Sequence, residues 1–384
     1  MSHVSHTLRP LDKLFVKDGR PLSLEDDSAA SGLFPPPPSV VYGALRSAAL
    51  AQAADLGAAI GTAADPAHEQ RASLTGLAFA KAEAGATVLY FPAPADLVRE
   101  KVKDDSADGQ PAVRAALLAE DASLTSAPTP RLLGPADRTR PVEGVGGYVS
   151  GAGLAAYLRG EEVPPTAVIE SSALYGSEPK LGIALDYGSR TTDDGLLYTM
   201  AMQRLHDGVT LAARTSGFGD SLPRLLRLGA EARAVETTTV RLDWPTAVPP
   251  SVDSFTLYLA TPAVFKCGWL PDFLTNTDGR EHTGRLGGAT VRLLAASTGK
   301  YVPLGGWDIV AHRPKPMRKA VPAGAVYHFE IIDGTLDVDS VHGHPLASDF
   351  PHAGRADGDQ VPYPTQGFGV AYVGRGPSDL KHTN

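Results

Sequence analysis

The chain has 384 residues, 35 basic against 43 acidic side chains for a net charge of −8, and one cysteine, Cys267. The length allows two to three domains at roughly 150 residues each, and the lone cysteine excludes an internal disulfide and any multi-cysteine zinc site. The acidic balance excludes a protein that coats nucleic acid with its whole surface, so such a contact has to be a local basic patch.

Leu11–Val16 reads as a short first strand, and Lys17-Asp18-Gly19-Arg20 as the turn after it, since Asp-Gly is a strong turn dipeptide. Pro35 to Pro38 stop regular structure. Ser39 is then a candidate N-cap for a helix over 40–54, where Val40, Val41, Ala44, Leu45, Ala48 and Ala49 recur at helical spacing. Residues 77–80 and 86–91 form a predicted hairpin around Glu83-Ala84-Gly85. From about 95 to 165 the chain is charged, Ala-rich and broken by Gly and Pro, which predicts an insertion with one or two helices, one at 153–159. A strand follows at 181–186. Tyr198–Leu205 and Val209–Thr215 read as paired strands joined by His206-Asp207-Gly208. Residues 220–228 read as a short helix and 232–242 as a strand. Pro245, Pro249 and Pro250 mark the best linker. Beyond it, 255–260, 290–296, 309–310, 326–332 and 369–373 are strand candidates, and helical windows are scarce.

The order of elements is not the strict strand–helix alternation of a doubly wound sheet. It predicts an α+β fold with an antiparallel sheet and helices on one face, the ferredoxin-like pattern. The 40 glycines and 32 prolines, close to a fifth of the chain, agree with many turns between short elements. No signal pattern opens the sequence and no run of eighteen apolar residues occurs, so a cytoplasmic protein that meets no membrane is expected.

Several motifs invite chemistry. Gly151-Ala-Gly153-Leu-Ala-Ala156 has dinucleotide-fingerprint spacing, but Gly144–Val149 before it is a poor buried strand and no parallel strand ending in Asp or Glu follows, so it reads as a glycine-rich loop that starts a helix. His342-Gly-His344, with Asp349 and His352, has zinc-like donors in a loop that Gly and Pro interrupt, so no metal or cofactor is expected. Ser297-Thr-Gly-Lys300 has the spacing of some acyl-transfer enzymes but sits in a turn. His3 and His6 fall in an expected loose tail, His206 in a turn and His328 in a strand. No pair suited to general acid–base work is evident, so no catalytic residue is assigned.

Between 300 and 320 lie Lys300, Arg313, Lys315, Arg318 and Lys319 against Asp308 alone. Pro314 and Pro316 keep the segment extended and its cations turned outward. Trp307, just before it, could stack on a base. On composition alone a solvated loop is the simpler reading. The chain closes on Gln366-Gly367-Phe-Gly369 to Gly374, where a backbone amide nest could hold phosphate.

These stretches together resemble the Cmr subunit-three family of type III-B CRISPR effector complexes, within the RAMP superfamily. The resemblance runs from Pro10–Pro21 through Val41–Arg46, Leu181–Asp186 and Gly195–Tyr198. It is most specific at Tyr258–Lys266 with Gly268–Pro271, at Gly305–Asp308, and at Pro314–Pro316 leading to Val321–Tyr327. It implies two ferredoxin-like (RRM-like) domains, 1–245 with the insertion and 246–384 ending in the glycine-rich loop. It implies a non-catalytic RNA-binding subunit that grips the 5′ tag of the guide RNA. Its implied partners are the large polymerase-like subunit, the adjacent backbone RAMP subunit and, indirectly, target RNA. By motif position the RNA-binding residues would be Lys17, Arg20, Arg46, Arg190, Lys266, Trp307, Arg313, Lys315, Arg318 and Lys319, with Gly367, Gly369 and Gly374. The alternatives are a RAMP endoribonuclease that processes guide precursors and the equivalent RAMP subunit of another type III system.

Overall fold

The computed structural model describes residues 3–18, 29–30, 32–52, 72–101, 113–118, 126–135, 141–185, 188, 192–218, 222–308, 312–351 and 360–377. The first strand, β1, is His3–Pro10, ahead of the expected one. Residues 11–17 make only isolated bridges, Leu14 with Gln203 and Lys17 with Gly32. The polar letters of His3–Pro10 hide the strand because its buried polar group is satisfied sideways. His6 is fully buried, with Thr215 Oγ1 and Thr239 Oγ1 of the two flanking strands each 3.2 Å from a ring nitrogen.

Helix α1 spans Pro38–Ala51, capped by Pro37 with no side-chain hydrogen bond, and Ser39 lies inside it. Proline at the first helical position lacks the N–H a cap would serve and brings its φ preset, so no serine is needed. Val41 and Leu45 on its inner face are fully buried, each stabilising by about 1.5–3 kcal/mol. Strands β2 (Ser73–Glu83) and β3 (Ala86–Pro92) form the expected hairpin. Ala84 and Gly85, at φ 44° and 85°, make its two-residue turn. Strand β4 (Tyr148–Ser150) runs into helix α2 (Gly151–Leu158), whose first turn is capped by the Ser150 hydroxyl accepting from Gly153 N–H at 3.2 Å. A Cβ at Gly153 would stand 2.7 Å from Ala167 and Val149, so this glycine serves packing.

Strands β5 (Tyr175–Leu185) and β6 (Thr192–Leu205) pair with each other, and β7 is Val209–Ser216. The turn at 206–208 does not make a hairpin of β6 and β7. It carries the chain from the β5/β6 ribbon into the main sheet, where β7 lies between β1 and β2. Burial decides this: Leu211 and Ala213 face one core and Ala212 another, so β7 needs cover on both faces. The helix expected at 220–228 is instead strand β8, Leu225–Leu228, among the described residues. Its Leu226 and Leu228 are buried while Leu225 is 56% exposed, a period of two that a four-residue edge strand satisfies beside β9 (Arg233–Val240).

Beyond the proline-rich segment come β10 (Ser254–Leu259), β11 (Glu281–Leu286), β12 (Ala289–Ser297), β13 (Val302–Leu304), β14 (Trp307–Asp308), β15 (Arg313–Pro314), β16 (Arg318–Ala320), β17 (Val326–Asp333) and β18 (Val370–Arg375). The strand expected at 309–310 lies outside the described residues. No α-helix follows Leu158 among the described residues. The chain is therefore mostly antiparallel sheet with few helices, an α+β architecture.

The two large sheets share one internal order. In the first, β2, β7, β1 and β9 are neighbours; in the second, β12, β17, β10 and β18. Taken in chain order within each half, both read second, third, first, fourth, and every pairing is antiparallel. In the first half the connection from second to third strand carries the long segment 84–208. The sheets pack on each other: Phe91, Leu154 and Tyr157 from the first half bury against Tyr258, Val326 and Tyr372 from the second. The other face of β10 and β18 (Phe255, Leu257, Leu259, Ala371, Val373) closes a separate core with β12 and β17. Residues 255–259 thus alternate between two interiors, which is why apolar side chains fall on both faces of the strand, with Thr256 the one polar residue among them.

Candidate nucleic-acid interface

The basic segment forms a two-stranded arm. Val302 and Leu304 pair with Ala320 and Arg318, and Trp307 and Asp308 pair with Pro314 and Arg313. The ladder breaks at 315–317, where the prolines withhold donors; Lys315 N–H still reaches Gly306 O at 2.9 Å. Leu304 and Ala320 anchor the base in a small core with Val264, Ala347 and Phe368. The outer side keeps Trp307 56% and Tyr301 58% exposed. Arg313 and Lys319 are exposed and Lys315 and Arg318 half-buried. Two of the cations lean on aromatic faces: Arg318 lies 4.4 Å from the Phe350 ring centroid, and Lys319 Nζ 4.9 Å from that of Tyr301. Burial raises the Tyr363 phenol, and the Arg318 charge opposes that rise.

That small core is the hub of the site. It joins Val264, two residues before exposed Lys266; Ala320, directly after Arg318 and Lys319; and Phe368, between Gly367 and Gly369. Leu33 packs on it as well, and Leu33 N–H donates to Val16 O, which brings the exposed Lys17 toward the same neighbourhood. Beside Lys266, burial pushes the Asp349 carboxyl up while the lysine charge pulls it down. Arg46 stands half-buried on α1, eight residues past Pro38 and so about 12 Å along the helix. Arg20 and Arg190 lie outside the described residues. A cleft of about 250 Å³ runs beside the base of the arm, between Phe34, Pro37, Phe79, Tyr148, Pro262 and Leu304.

The glycine-rich loop needs correction as a phosphate nest. Gly367 and Gly369 adopt φ of 88° and 74°, so glycine is required, but their N–H groups are committed inside the chain. Gly367 N–H donates to Pro364 O, Phe368 N–H to Tyr363 O and Gly369 N–H to Pro262 O. Val370 N–H donates to Thr261 Oγ1 at 2.9 Å. A Cβ at Gly367 would stand 2.9 Å from Leu74, one at Gly369 2.6 Å from Ala347 N, and one at Gly374 2.8 Å from Leu158 O. These glycines let β18 pass close to its neighbours. An RNA contact in this region has to come from side chains around the loop.

The histidines also change place. His3 and His6 belong to β1 and not to a loose tail. His206 donates through Nε2 to Ser172 O at 2.9 Å, and His342 through Nε2 to Pro245 O at 3.0 Å while its Nδ1 accepts from Val373 N–H. Among the described residues no three metal-ligating side chains are arranged to hold an ion, and His352 lies outside them. Ser297 hydroxyl donates to Ala95 O, which accounts for it as a turn residue.

Sequence reasoning missed one buried cluster. His328 Nε2 is 3.1 Å from Asp96 Oδ2, its Nδ1 is 3.1 Å from Thr256 Oγ1, and the Tyr157 hydroxyl donates to both Asp96 oxygens at 2.8 and 2.9 Å. Burial and the Asp96 carboxylate push the Tyr157 phenol well above its ordinary value, so it donates. All four side chains are nearly fully buried, and both ring nitrogens are occupied. With 232 residues between Asp96 and His328, no local spacing could reveal the pair. It ties the insertion to the second sheet.

Comparison with known proteins completes the description. The chain has 15% identity to a chain of a cryo-EM structure of the type III-B Cmr-beta bound to cognate target RNA, with a TM-score of 0.46, covering 84% of this chain and 86% of that one. For the same assembly bound to cognate target RNA and AMPPnP the values are 14%, 0.46, 84% and 86%. For a Csm3–Csm4 subcomplex of the type III-A CRISPR-Cas interference complex they are 8%, 0.34, 86% and 92%. No curated protein sequence matches. The family model described as CRISPR-associated protein (Cas_Cmr3) matches residues 6–375, and the chain belongs to that family.

Proposed function

We propose that this protein is a non-catalytic RNA-binding subunit of a type III-B (Cmr) effector complex, holding the 5′ tag of the guide RNA and docking on the large polymerase-like subunit. The observation that carries the reading is the arm with the residue before it, 301–320, which gathers cations and two exposed aromatic rings on an otherwise acidic chain. Lysine and arginine there would neutralise phosphates while Trp307 and Tyr301 receive unstacked bases, the usual chemistry of single-stranded RNA recognition. The adjacent RAMP subunit and the target RNA would be met through the assembled guide. The reading places the protein in the cytoplasm; no described helix is long and apolar enough to cross a membrane.

We read the two halves, 1–245 and 246–384, as ferredoxin-like domains. The shared strand order and α1 on the first sheet support this; among the described residues of the second half the sheet is accompanied by loops, short 3₁₀ turns and the arm, with no α-helix. Absence of catalysis is part of the proposal, and the commitment of both His328 nitrogens to neighbours supports it.

The test is RNA binding by the chain with and without the co-expressed large subunit, using guides with intact or scrambled 5′ tags at several salt concentrations. Tag-dependent binding is expected. The slope of log affinity against log salt should fall by about 0.7 for each phosphate that Lys315→Met or Arg318→Met leaves without its cation. Trp307→Ala should cost about 1–3 kcal/mol of binding. Tag-indifferent binding, or RNA cut at one site, would overturn the reading.

A further inference from the structure

Between the two sheets, Tyr258, Val326 and Tyr372 form an apolar layer. Two residues outward on the same strand faces stand Thr256 of β10 and His328 of β17, which are cross-strand partners. On β18 the residue opposite Thr256 is Gly374, where a Cβ would lie 2.8 Å from Leu158 O, so the end of α2 packs down on this edge of the seam. A cavity of about 330 Å³ opens here. Asp96, Tyr157, Thr256 and His328 form its floor, none more than 6% exposed. Arg114, Glu161, Glu162 and Arg375, all exposed, form its rim. It lies at the opposite ends of β10 and β18 from the arm, whose hub contains Val264 and Phe368.

The floor keeps hydrogen-bonding capacity in hand. Among the described residues Asp96 Oδ1 meets only the Tyr157 hydroxyl, Oδ2 meets that hydroxyl and His328 Nε2, and Thr256 Oγ1 meets only His328 Nδ1. A carboxylate has about four acceptor sites, and a hydroxyl has a donor and two acceptor sites. The rim carries a spare cation. Glu162 is paired with Arg114 at 3.2 Å and Glu161 with Arg159 at 2.7 Å. Arg375 makes no hydrogen bond or ion pair among the described residues. It stands beside Gly160, whose Cβ would lie 3.9 Å from its own.

These groups ask for hydroxyls at the floor and an anion at the rim. A simple anion would meet the Asp96 charge, and an uncharged polyol would leave Arg375 unused. A ribose phosphate answers both: carboxylates hold ribose hydroxyls, and guanidinium suits phosphate. Ala115, Leu117 and Pro377 leave an apolar wall for a base. The volume is near the lower end for ligand pockets, enough for one small ligand. We propose that this cavity binds one ribonucleotide, free or within an RNA chain, with its ribose hydroxyls on Asp96 and Thr256 and its phosphate on Arg375. The site shares no residue with the arm and does not rest on the arm's reading.

The test is isothermal titration of the full chain with the four ribonucleoside 5′-monophosphates, their 2′-deoxy counterparts and inorganic phosphate. The variants are Arg375→Met, Thr256→Val, Asp96→Asn and the arm double variant Lys315→Met/Arg318→Met. Saturable binding of at least one ribonucleotide is expected, with the 2′-deoxy form and phosphate alone about tenfold weaker or worse. Arg375→Met, a surface change that breaks no ion pair among the described residues, should weaken binding about tenfold, and Thr256→Val about fivefold. Asp96→Asn should narrow the gap between ribose and deoxyribose, and the arm variant should bind as the wild type does. Guide RNA that displaces the mononucleotide identifies RNA as its source; guide RNA that binds without displacing it identifies a free nucleotide. No saturable binding, equal affinity for the 2′-deoxy form, or wild-type affinity in both Arg375→Met and Thr256→Val overturns the site. Mononucleotide binding without tag-dependent RNA binding overturns the arm reading and leaves this site standing.

Discussion

Replacing His328 with alanine tests the link between the insertion and the second sheet. The wild-type ring sits between Asp96 and Thr256, 3.1 Å from each, with side-chain exposures of 3% for His328 and 0% for Asp96. After the substitution Asp96 keeps the Tyr157 hydroxyl but loses its only other side-chain partner among the described residues. Removing one member of a buried hydrogen-bonded pair of this kind costs about 3–5 kcal/mol. Asp96→Asn keeps an acceptor for Tyr157 and should cost less, about 1–3 kcal/mol, and Thr256→Val about 1 kcal/mol. The side chains form one network, so the costs should not add. The double variant His328→Ala/Asp96→Ala should fall short of the summed single penalties by about 0.5–3 kcal/mol. Urea unfolding followed by tryptophan fluorescence reads these differences as midpoint shifts. His328→Ala within about 1 kcal/mol of the wild type, or strictly additive penalties, would refute the network as a buried link.

Three further outcomes are expected. Leu45→Ala removes a fully buried side chain under α1 and should destabilise by about 2–5 kcal/mol in the same urea assay. Gly369→Ala combines a left-handed φ of 74° with a Cβ 2.6 Å from Ala347 N; it should cost about 1–3 kcal/mol more than Gly268→Ala, where φ is also 74° and no atom lies within 4 Å. Burial lowers His6 and, more than its hydrogen bonds raise it, His342, both below the ordinary 6.5. The unfolded chain therefore takes up these protons first: their contribution to stability is full above pH 6.5 and is lost as pH falls from there through the lowered values. Urea midpoints measured across that window should drop less in His6→Gln than in the wild type.

Much of the site's local chemistry was legible. The apolar-rich stretches of β10, β12, β17 and β18 marked the strands of the second sheet, and the Ala84-Gly85 turn marked the β2–β3 hairpin of the first. The cations of 313–319 and the prolines among them foretold an extended basic segment. The polar β1 was hidden, because His6 looks solvated until Thr215 and Thr239 flank it. The leucines of 225–228 looked helical because period two and period three-to-four cannot be told apart over four residues. The glycine loop's need for glycine was readable, but not that its amides would be committed to Pro364, Tyr363 and Pro262.

The sequence by itself determined which segments are apolar, where the turns fall, and that an acidic chain concentrates positive charge near its arm. These follow from nearest-neighbour chemistry, which local order records. Tertiary structure alone decided that β7 lies between β1 and β2, that Asp96 meets His328, and that Thr215 and Thr239 flank the buried His6. Such meetings join residues tens to hundreds of positions apart. They are fixed by which faces must be covered, and no local spacing carries that information.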